Sequence, residues 1–193
     1  MSERSPLELQ QITAEDCFQN LAGSLDYGCI FCKTGLEQSV ARSLNQRYDG
    51  IKALAVTQLK HKSCNGIKTV CEQILLPGYV LFRAYEENPP LYEFTNAKGV
   101  IRVIRNTSGD WRLGFRDRSF ADWVFEKGGL IGMSTAYYAG DKVHVHTGAL
   151  KDYEGSLLKI DRRSRNGLVE IHFGNKTWRI WLAFEMIELC QVS

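Results

Sequence analysis

The hydrophobic pattern of the chain changes at Gly140, and this change limits the possible folds more than any other feature. Before Gly140, apolar segments with the helical period and with the strand period follow one another. After it, short alternations such as Val143 with Val145 and Leu158 with Ile160 are separated by glycine turns. The first pattern predicts an α+β domain. The second extends over about 55 residues and predicts a small closed β-barrel.

The first part has the segment order of a split βαβ fold. The capping box Thr34-Gly35-Leu36-Glu37 predicts a helix start, in which the threonine oxygen accepts a backbone hydrogen bond and the glutamate reaches back. Residues 60–68 are polar and basic and predict a hairpin or loop that projects from the sheet. The order β-α-β-β-α-β with a final helix is ferredoxin-like. We predict strands at 27–33, 51–59, 79–82 and 100–104, and helices at 36–48, 91–98 and 115–127.

Two segments fall outside the predicted domains. Residues 1–25 are predicted to be an N-terminal extension in which Thr13 begins a short helix. Residues 128–138 contain three glycines and no charged side chain, and this composition predicts a linker.

Composition and charge exclude several classes of protein. Hydrophobic residues make up 44% and the formal net charge is 24 − 22 = +2. The chain is therefore neither intrinsically disordered nor covered with cations for nucleic acid. Residues 1–25 carry four acids and one base, the wrong sign for a signal peptide. No apolar run approaches the roughly 18 residues of a membrane span. We expect a cytoplasmic protein with no membrane partner.

Six cysteines raise the question of a zinc or thiol redox site. Cys29-x-x-Cys32 lies in a predicted strand, where residues three apart point to opposite faces, so the two sulfurs would diverge. Cys64 and Cys71, separated by six residues, form no second pair of ligands. We expect buried reduced thiols, with zinc or redox function as the alternative that metal analysis would reveal. The cysteines are Cys17, Cys29, Cys32, Cys64, Cys71 and Cys190.

Other residue patterns that carry catalysis are missing from the sequence. It has no Gly-rich phosphate loop, nucleophile elbow or spaced acid cluster. His144-x-His146 puts two histidines on one strand face, and His172 is the only other histidine nearby in sequence. We expect a solvated or nucleic-acid-facing pair instead of a metal site. The sequence predicts no enzymatic activity, no metal and no cofactor.

Three segments together resemble the NusG family of transcription elongation factors. They are Tyr27-x-x-x-Phe31-Cys32-Lys33-Thr34-Gly35-Leu36-Glu37, then Leu76-Pro77-Gly78-Tyr79-Val80-Leu81-Phe82, and the segment from Gly140-Asp141 to Gly155 followed by Leu158 and Ile160. The third segment resembles a KOW motif. Tyr27 stands where tryptophan is common in the family, and Ala149 where the KOW loop usually has proline. The chain is thus more similar to specialised paralogues such as RfaH and LoaP than to the housekeeping factor.

The resemblance implies an NGN domain at 26–127 and a five-stranded SH3-like KOW barrel at 139–193. It implies a factor that binds bacterial RNA polymerase and the non-template DNA strand through the NGN domain, promotes processive elongation and opposes termination. The KOW domain would contact a nascent RNA hairpin or a ribosomal protein, and we expect a monomer. The alternative is a free-standing RNA-binding or ribosome-associated KOW protein. Whether the barrel covers the polymerase site stays open.

The resemblance also implies the residues of the polymerase and DNA sites. Leu76, Tyr79 and Leu81 match family positions that contact the polymerase clamp, although ordinary core residues would show the same pattern. Phe31 should lie beside them at the end of the neighbouring strand. A second polymerase contact is implied at Tyr92 and Glu93. The DNA-binding candidates are Lys33, Arg42, Lys98 and Arg102.

The RNA-binding candidates come from the pattern of the predicted barrel. Four cations fall within residues 159–165, just before a turn, where a hairpin would present them to phosphates. Arg179 and Trp181 alternate with apolar Ile180 and Leu182, so we expect both to face outward, where an exposed tryptophan suits base stacking. Phe173 matches a family position used for protein partners, but alternation equally makes it core. The RNA-binding candidates are Lys151, Lys159, Arg162, Arg163, Arg165, Arg179 and Trp181.

Overall fold

The computed structural model describes residues 25–64, 67–85, 89–174 and 176–188. These residues form a mixed α+β structure made mostly of strands, which confirms the α+β class. The predicted extension at 1–25, apart from Leu25, and the Asn65-Gly66 turn lie outside the described residues. In the described part, no helix combines the length and the apolar character that crossing a membrane requires.

The described elements alternate at first and are then mainly strands. In chain order they are β1 (Asp26–Cys32), α1 (Glu37–Arg47), β2 (Ile51–Ala55), β3 (Thr57–Cys64), β4 (Ile67–Ile74), β5 (Tyr79–Ala84), α2 (Leu91–Phe94), β6 (Val100–Val103), α3 (Phe115–Glu126), β7 (Leu130–Ile131), β8 (Ser134–Ala139), β9 (Lys142–Thr147), α4 (Ala149–Asp152), β10 (Leu157–Asp161), β11 (Asn166–Phe173) and β12 (Lys176–Met186).

The N-terminal sheet has the order β2-β5-β1-β6, with every neighbouring pair antiparallel. Strand β5 therefore lies between β1 and β2, as in the split βαβ order expected from the sequence. Helices α1 and α2 cover one face, where Val40, Leu44 and Phe94 pack against Ile30 and Phe82. The four-residue spacing of the apolar positions in α1 produces this buried stripe.

The predicted second strand, 51–59, is interrupted at Val56. Its first part remains in the N-terminal sheet as β2, and its second part leaves as β3 to pair with β4 and, in parallel, with β7. Val56 is fully buried and its carbonyl oxygen accepts a hydrogen bond from Leu75 N–H at 2.8 Å. The described part of the basic segment at 60–68 thus belongs to the antiparallel β3–β4 pair. Of the two predicted alternatives, hairpin or loop, the hairpin is correct.

The predicted linker at 128–138 contains two strands. Strand β7 pairs with β3, and β8 belongs to the five-stranded C-terminal sheet, whose order is β10-β11-β12-β8-β9. Ser134 at the start of β8 is fully buried, and its hydroxyl oxygen accepts a hydrogen bond from Leu150 N–H at 2.9 Å. Gly148 packs against it at φ 88°, where a Cβ would lie 2.7 Å from the Ser134 Cα. The C-terminal sheet therefore includes Ser134–Ala139, most of which lies in the predicted linker.

The two halves share one apolar core. On the face of the N-terminal sheet away from α1, Tyr27, Leu76 and Leu81 join a cluster that continues into Phe173 and Phe184 of the C-terminal sheet. The face that joins the two halves therefore contains three of the candidate polymerase-binding residues, Leu76, Tyr79 and Leu81.

Candidate functional site

A tight turn between β4 and β5 is held in place by Glu37, the first residue of α1. Glu37 is 1% exposed. Its Oε1 accepts a hydrogen bond from Gly78 N–H at 2.7 Å, and its Oε2 accepts one from Gly35 N–H at 2.9 Å. The predicted capping box is therefore half correct: the glutamate reaches back, but Leu36 is the N-cap residue and no side chain caps the helix. The carboxylate joins the first two segments of the resemblance.

Phe31 and Tyr79 lie side by side on this turn. They are register partners in the β1–β5 pair, and their ring centroids are 5.5 Å apart, which confirms the expected position of Phe31. Both are half-buried. Leu76 is 1% exposed and Leu81 fully buried. We call Phe31, Leu76, Tyr79 and Leu81 the apolar patch.

The C-terminal sheet covers the apolar patch. Trp178 on β12 packs edge-on against Tyr79, with ring centroids 5.8 Å apart and planes at 88°. Phe173, a candidate for partner binding, is 3% exposed and contacts Phe120 of α3 at a centroid distance of 5.0 Å. In this arrangement Phe173 contributes to the contact between the two halves of the chain.

Asp152 forms a polar contact between the two halves, beside the C-terminal sheet that covers the apolar patch. Its Oδ2 accepts a hydrogen bond from Trp123 Nε1 at 2.9 Å and lies 3.0 Å from Lys127 Nζ. Burial opposes ionisation of Asp152, but the Trp123 and Lys127 side chains outweigh it and hold the pKa of the carboxyl below its usual value. Tyr153 adds a T-shaped ring contact to Trp123 at 5.0 Å. These contacts fasten the C-terminal sheet to α3.

The second implied polymerase contact lies apart from the patch. Tyr92 is 77% exposed on α2, and Glu93 Oε2 accepts a hydrogen bond from Tyr48 OH at 3.2 Å. The side-chain bond between Tyr92 and Glu93 raises the pKa of Tyr92, and burial followed by the Glu93 bond raises the pKa of Tyr48.

Three of the four DNA-binding candidates lie at one end of the N-terminal sheet. Lys33 N–H donates to the Gly99 carbonyl at 2.8 Å, which puts Lys33 next to Lys98 along the backbone. Arg102 pairs with Phe31 in the β1–β6 register. All three side chains are exposed. Arg42 lies apart on α1 and lines a different groove, beside Leu54 and Gly129.

The four cations at 159–165 lie on an antiparallel hairpin, β10–β11, as the sequence predicts. Asp161 Oδ1 accepts hydrogen bonds from Arg163 N–H at 2.9 Å and Ser164 N–H at 3.1 Å. These bonds, with Ser164 first, lower the pKa of Asp161. Arg162 donates to the Asp141 carbonyl, and Arg165 has a φ of 54°. The hairpin turn presents exposed Arg162, Arg163 and Arg165 together.

The other RNA-binding candidates, Lys151, Arg179 and Trp181, lie outside this turn. Lys151 on α4 forms an ion pair with Glu154, and Arg179 Nε lies 3.4 Å from Glu170 Oε2. Trp181 is half-buried, while Arg179 is exposed; Ile180 and Leu182 are buried, as alternation predicts. His144 and His146 are exposed on β9, and His144 stacks on Tyr137 at 5.5 Å. No metal-ligand cluster occurs among the residues described.

Cys29 and Cys32 point to opposite faces of β1, as the strand period predicts. Cys29 belongs to the core shared by the two halves, and Cys32 to the core under α1. Burial, with a smaller contribution from the Glu37 charge, raises the pKa of Cys32 to about 11. Burial raises the pKa of Cys29 further.

These thiols should react slowly with iodoacetamide in the native protein. Because the thiolate is the nucleophile, a pKa raised from 9.0 to about 11 lowers the rate at Cys32 about a hundredfold relative to the unfolded chain. Peptide mass spectrometry of pulse-labelled protein measures this rate. Half-buried Cys71 on β4 is the internal control and should react faster. Equal labelling of Cys32 and Cys71 would contradict the buried arrangement.

No protein-family model matches the chain, and no curated protein matches it. Solved structures do match it. One of them is a structure of NusG from Thermotoga maritima that describes domain interaction in that protein. It is 14% identical, the match covers 83% of this chain and 94% of that one, and the TM-score is 0.49. This is a likeness of fold.

Three residues of the site have no counterpart among the sequence candidates. Alternation along β12 predicts that Trp181 faces outward, which makes it a candidate. Trp178 lies on the same strand but on the apolar face, so it is not a candidate. Asp152 directly follows the candidate Lys151, and the sequence pattern of Glu37 indicates only a helix cap. The contacts of all three residues reach elements distant in the chain, and periodicity carries no information about such contacts.

Proposed function

We propose that this chain is a transcription elongation factor of the NusG kind, a specialised paralogue that binds bacterial RNA polymerase through its N-terminal half. The observation that carries the proposal is the meeting of two motif segments at one surface. Glu37 bonds to Gly78, and Phe31 packs beside Tyr79. An aromatic pair at the edge of an apolar sheet face suits docking of a partner helix. The protein would promote processive elongation and oppose termination without catalysis.

The covered patch adds a step to this proposal. Tyr79 contacts Trp178, and Leu76 and Leu81 are buried. A polymerase helix can reach these residues only after the C-terminal sheet has moved away. The described arrangement is therefore the resting state in our proposal, and polymerase binding requires the open state.

The remaining contacts follow from exposed charge. Lys33, Lys98 and Arg102 at one end of the N-terminal sheet suit the non-template DNA strand, with Arg42 as a separate contact. The C-terminal sheet acts as a KOW barrel of the SH3-like kind, and its exposed arginine turn at 162–165 suits nascent RNA. A ribosomal protein would bind at Phe173 once the halves separate. We propose a cytoplasmic monomer as the acting form.

Tyr79→Ala tests the proposal directly. The variant is compared in the Trp178→Ala background, where the ring contact that covers Tyr79 is already absent. There Tyr79→Ala should weaken binding to core RNA polymerase about tenfold and abolish terminator read-through, because an interface aromatic at the centre of a patch carries much of the binding energy. Affinity measurements and in vitro transcription provide the readouts. Tyr138→Ala is the matched control, since Tyr138 is 56% exposed on the C-terminal sheet. Equal affinity and equal read-through with and without Tyr79→Ala in that background would contradict the proposal.

The exposed arginine turn also supports the second candidate, a free-standing RNA-binding protein. That function requires salt-dependent RNA affinity with no effect on transcription. The read-through assay separates the two candidates.

A further inference from the structure

Two hairpins from opposite halves of the chain enclose a groove of about 550 Å³. One wall is the β3–β4 hairpin, with Lys62, Thr69 and Val70. The other is the β10–β11 turn, with Arg163, Ser164 and Arg165. The sequence shows a basic segment at each place, and only the fold brings the two together.

Phe184 on β12 fixes the distance between the two walls. The His61 Nε2 of the first hairpin lies 3.4 Å from the Phe184 carbonyl oxygen. The Phe184 N–H donates to the Arg165 carbonyl of the second hairpin at 2.9 Å. Because Phe184 is 1% exposed, this bridge is anchored in the shared core. The groove is therefore part of the packed structure.

The groove is positively charged. Lys62, Arg163 and Arg165 line it, and within the described ranges none of them forms an ion pair. Asp161 is the acid in its lining, and one of its carboxylate oxygens already accepts two backbone hydrogen bonds. Arg165 is held at a φ of 54°, a conformation that persists only where surrounding contacts impose it. Three cations from the two halves and one ionised carboxylate thus give the lining a formal net charge of 3 − 1 = +2.

The uncharged lining suits a nucleic-acid strand. Thr69 and Ser164 are two of its uncharged polar side chains, and their hydroxyls donate within the protein, to the Lys62 carbonyl at 3.4 Å and to Asp161. Val70 is an apolar side chain with 49% exposure, which offers a contact for a base or sugar. An acidic peptide would use the cations but gain less from an apolar surface between them.

We propose that this groove binds the sugar–phosphate backbone of one nucleic-acid strand, with cations supplied by both halves of the chain. A positive groove that follows a strand is the general form of such sites. Because both walls contact the strand, binding stabilises the closed arrangement. The proposal rests on the RNA contact proposed above for the arginine turn at 162–165, and it does not require polymerase binding.

The test measures strand binding by the full chain with no polymerase present. Fluorescently labelled single-stranded RNA and DNA of one sequence are titrated by anisotropy at several salt concentrations. Lys62→Gln and Arg163→Gln should each weaken binding about fivefold and reduce the salt slope by about 0.7. Lys52→Gln, an exposed cation on β2 outside the groove, is the matched control and should bind like the wild type. Circular dichroism verifies that each variant is folded.

The two strand types identify the ligand within the proposal. Equal affinity for RNA and DNA supports recognition of the backbone alone, and tighter RNA binding supports added contacts to the 2′-hydroxyl. Weakening by Arg163→Gln with no effect of Lys62→Gln would overturn the proposal, because the turn alone would then bind the strand. Displacement of RNA by polyglutamate of equal charge would overturn it in favour of an acidic peptide.

Discussion

Replacing Trp178 by alanine should raise the affinity of the protein for RNA polymerase by about 30-fold. The edge packing against Tyr79 is worth about 1 kcal/mol beyond the area it buries. The apolar area of the indole no longer buried in the variant brings the total decrease in closure free energy to about 2 kcal/mol. A covered surface binds in proportion to the fraction of open molecules, so this decrease is measured as a gain in apparent affinity.

Trp181→Ala is the matched control for this experiment. Trp181 is a half-buried tryptophan on the same strand, three residues further on and therefore on the other face. It should leave polymerase affinity unchanged in the absence of RNA. Small-angle scattering checks the cause, because only Trp178→Ala should increase the radius of gyration. Opening without any gain in affinity would contradict the proposal that the patch is the polymerase site.

We expect Trp178→Ala to have the opposite effect on the affinity for a nucleic-acid strand. Opening separates the β3–β4 hairpin from the β10–β11 turn, so the groove between them loses one wall. Trp178→Ala should then bind polymerase more tightly and a free single strand more weakly. Polymerase and strand would compete through the equilibrium between open and closed states.

Local sequence signals predicted most of the N-terminal fold. The spacing of Val40 and Leu44 indicated the correct buried face of α1, and alternation indicated the opposite orientations of Cys29 and Cys32. The strand order follows from short connections and handedness once the elements are known. Composition did not indicate the two strands within 128–138, because three glycines without charges suit a linker and equally suit short strands. Position relative to β3 and β12 decides between them.

The local sequence pattern could not predict that the C-terminal sheet covers the apolar patch. Tyr79 and Trp178 belong to strands of different sheets, and each strand shows only which of its own faces is apolar. An apolar face gives the same alternation whether it meets a partner protein or another part of the chain. The exposure of other candidates, such as Arg163 and Lys98, was predictable, because it depends only on the local turn that contains each residue.

Replacing Glu37 by alanine should lower the free energy of unfolding by about 3 kcal/mol. Glu37 is 1% exposed and accepts hydrogen bonds from Gly78 and Gly35. A buried N–H group left without an acceptor costs about 1–3 kcal/mol, and Gly78 N–H is buried in its bond to Glu37. Loss of the negative charge in the first turn of α1 adds about 0.5 kcal/mol. Urea unfolding followed by circular dichroism measures the change.

Glu37→Gln separates the hydrogen bond from the charge. A glutamine keeps one acceptor oxygen for Gly78 N–H, so we expect a loss of about 1 kcal/mol, between the wild type and the alanine variant. Ser39→Ala, at an exposed position of the same helix, is the control and should change stability by less than about 0.5 kcal/mol. Equal losses for the glutamine and alanine variants would show that charge, and not the bond to the turn, is what matters.

The position of Glu37 gives the experiment a functional readout as well. Its carboxylate holds the turn that carries Tyr79, whose N–H in turn bonds to the Leu76 carbonyl at 3.2 Å. At temperatures where Glu37→Gln remains folded, a loosened turn should weaken polymerase binding even when the covering indole has been removed by Trp178→Ala. If the double variant binds polymerase as tightly as Trp178→Ala alone, Glu37 supports the fold only, and the orientation of Tyr79 is fixed by its strand partners.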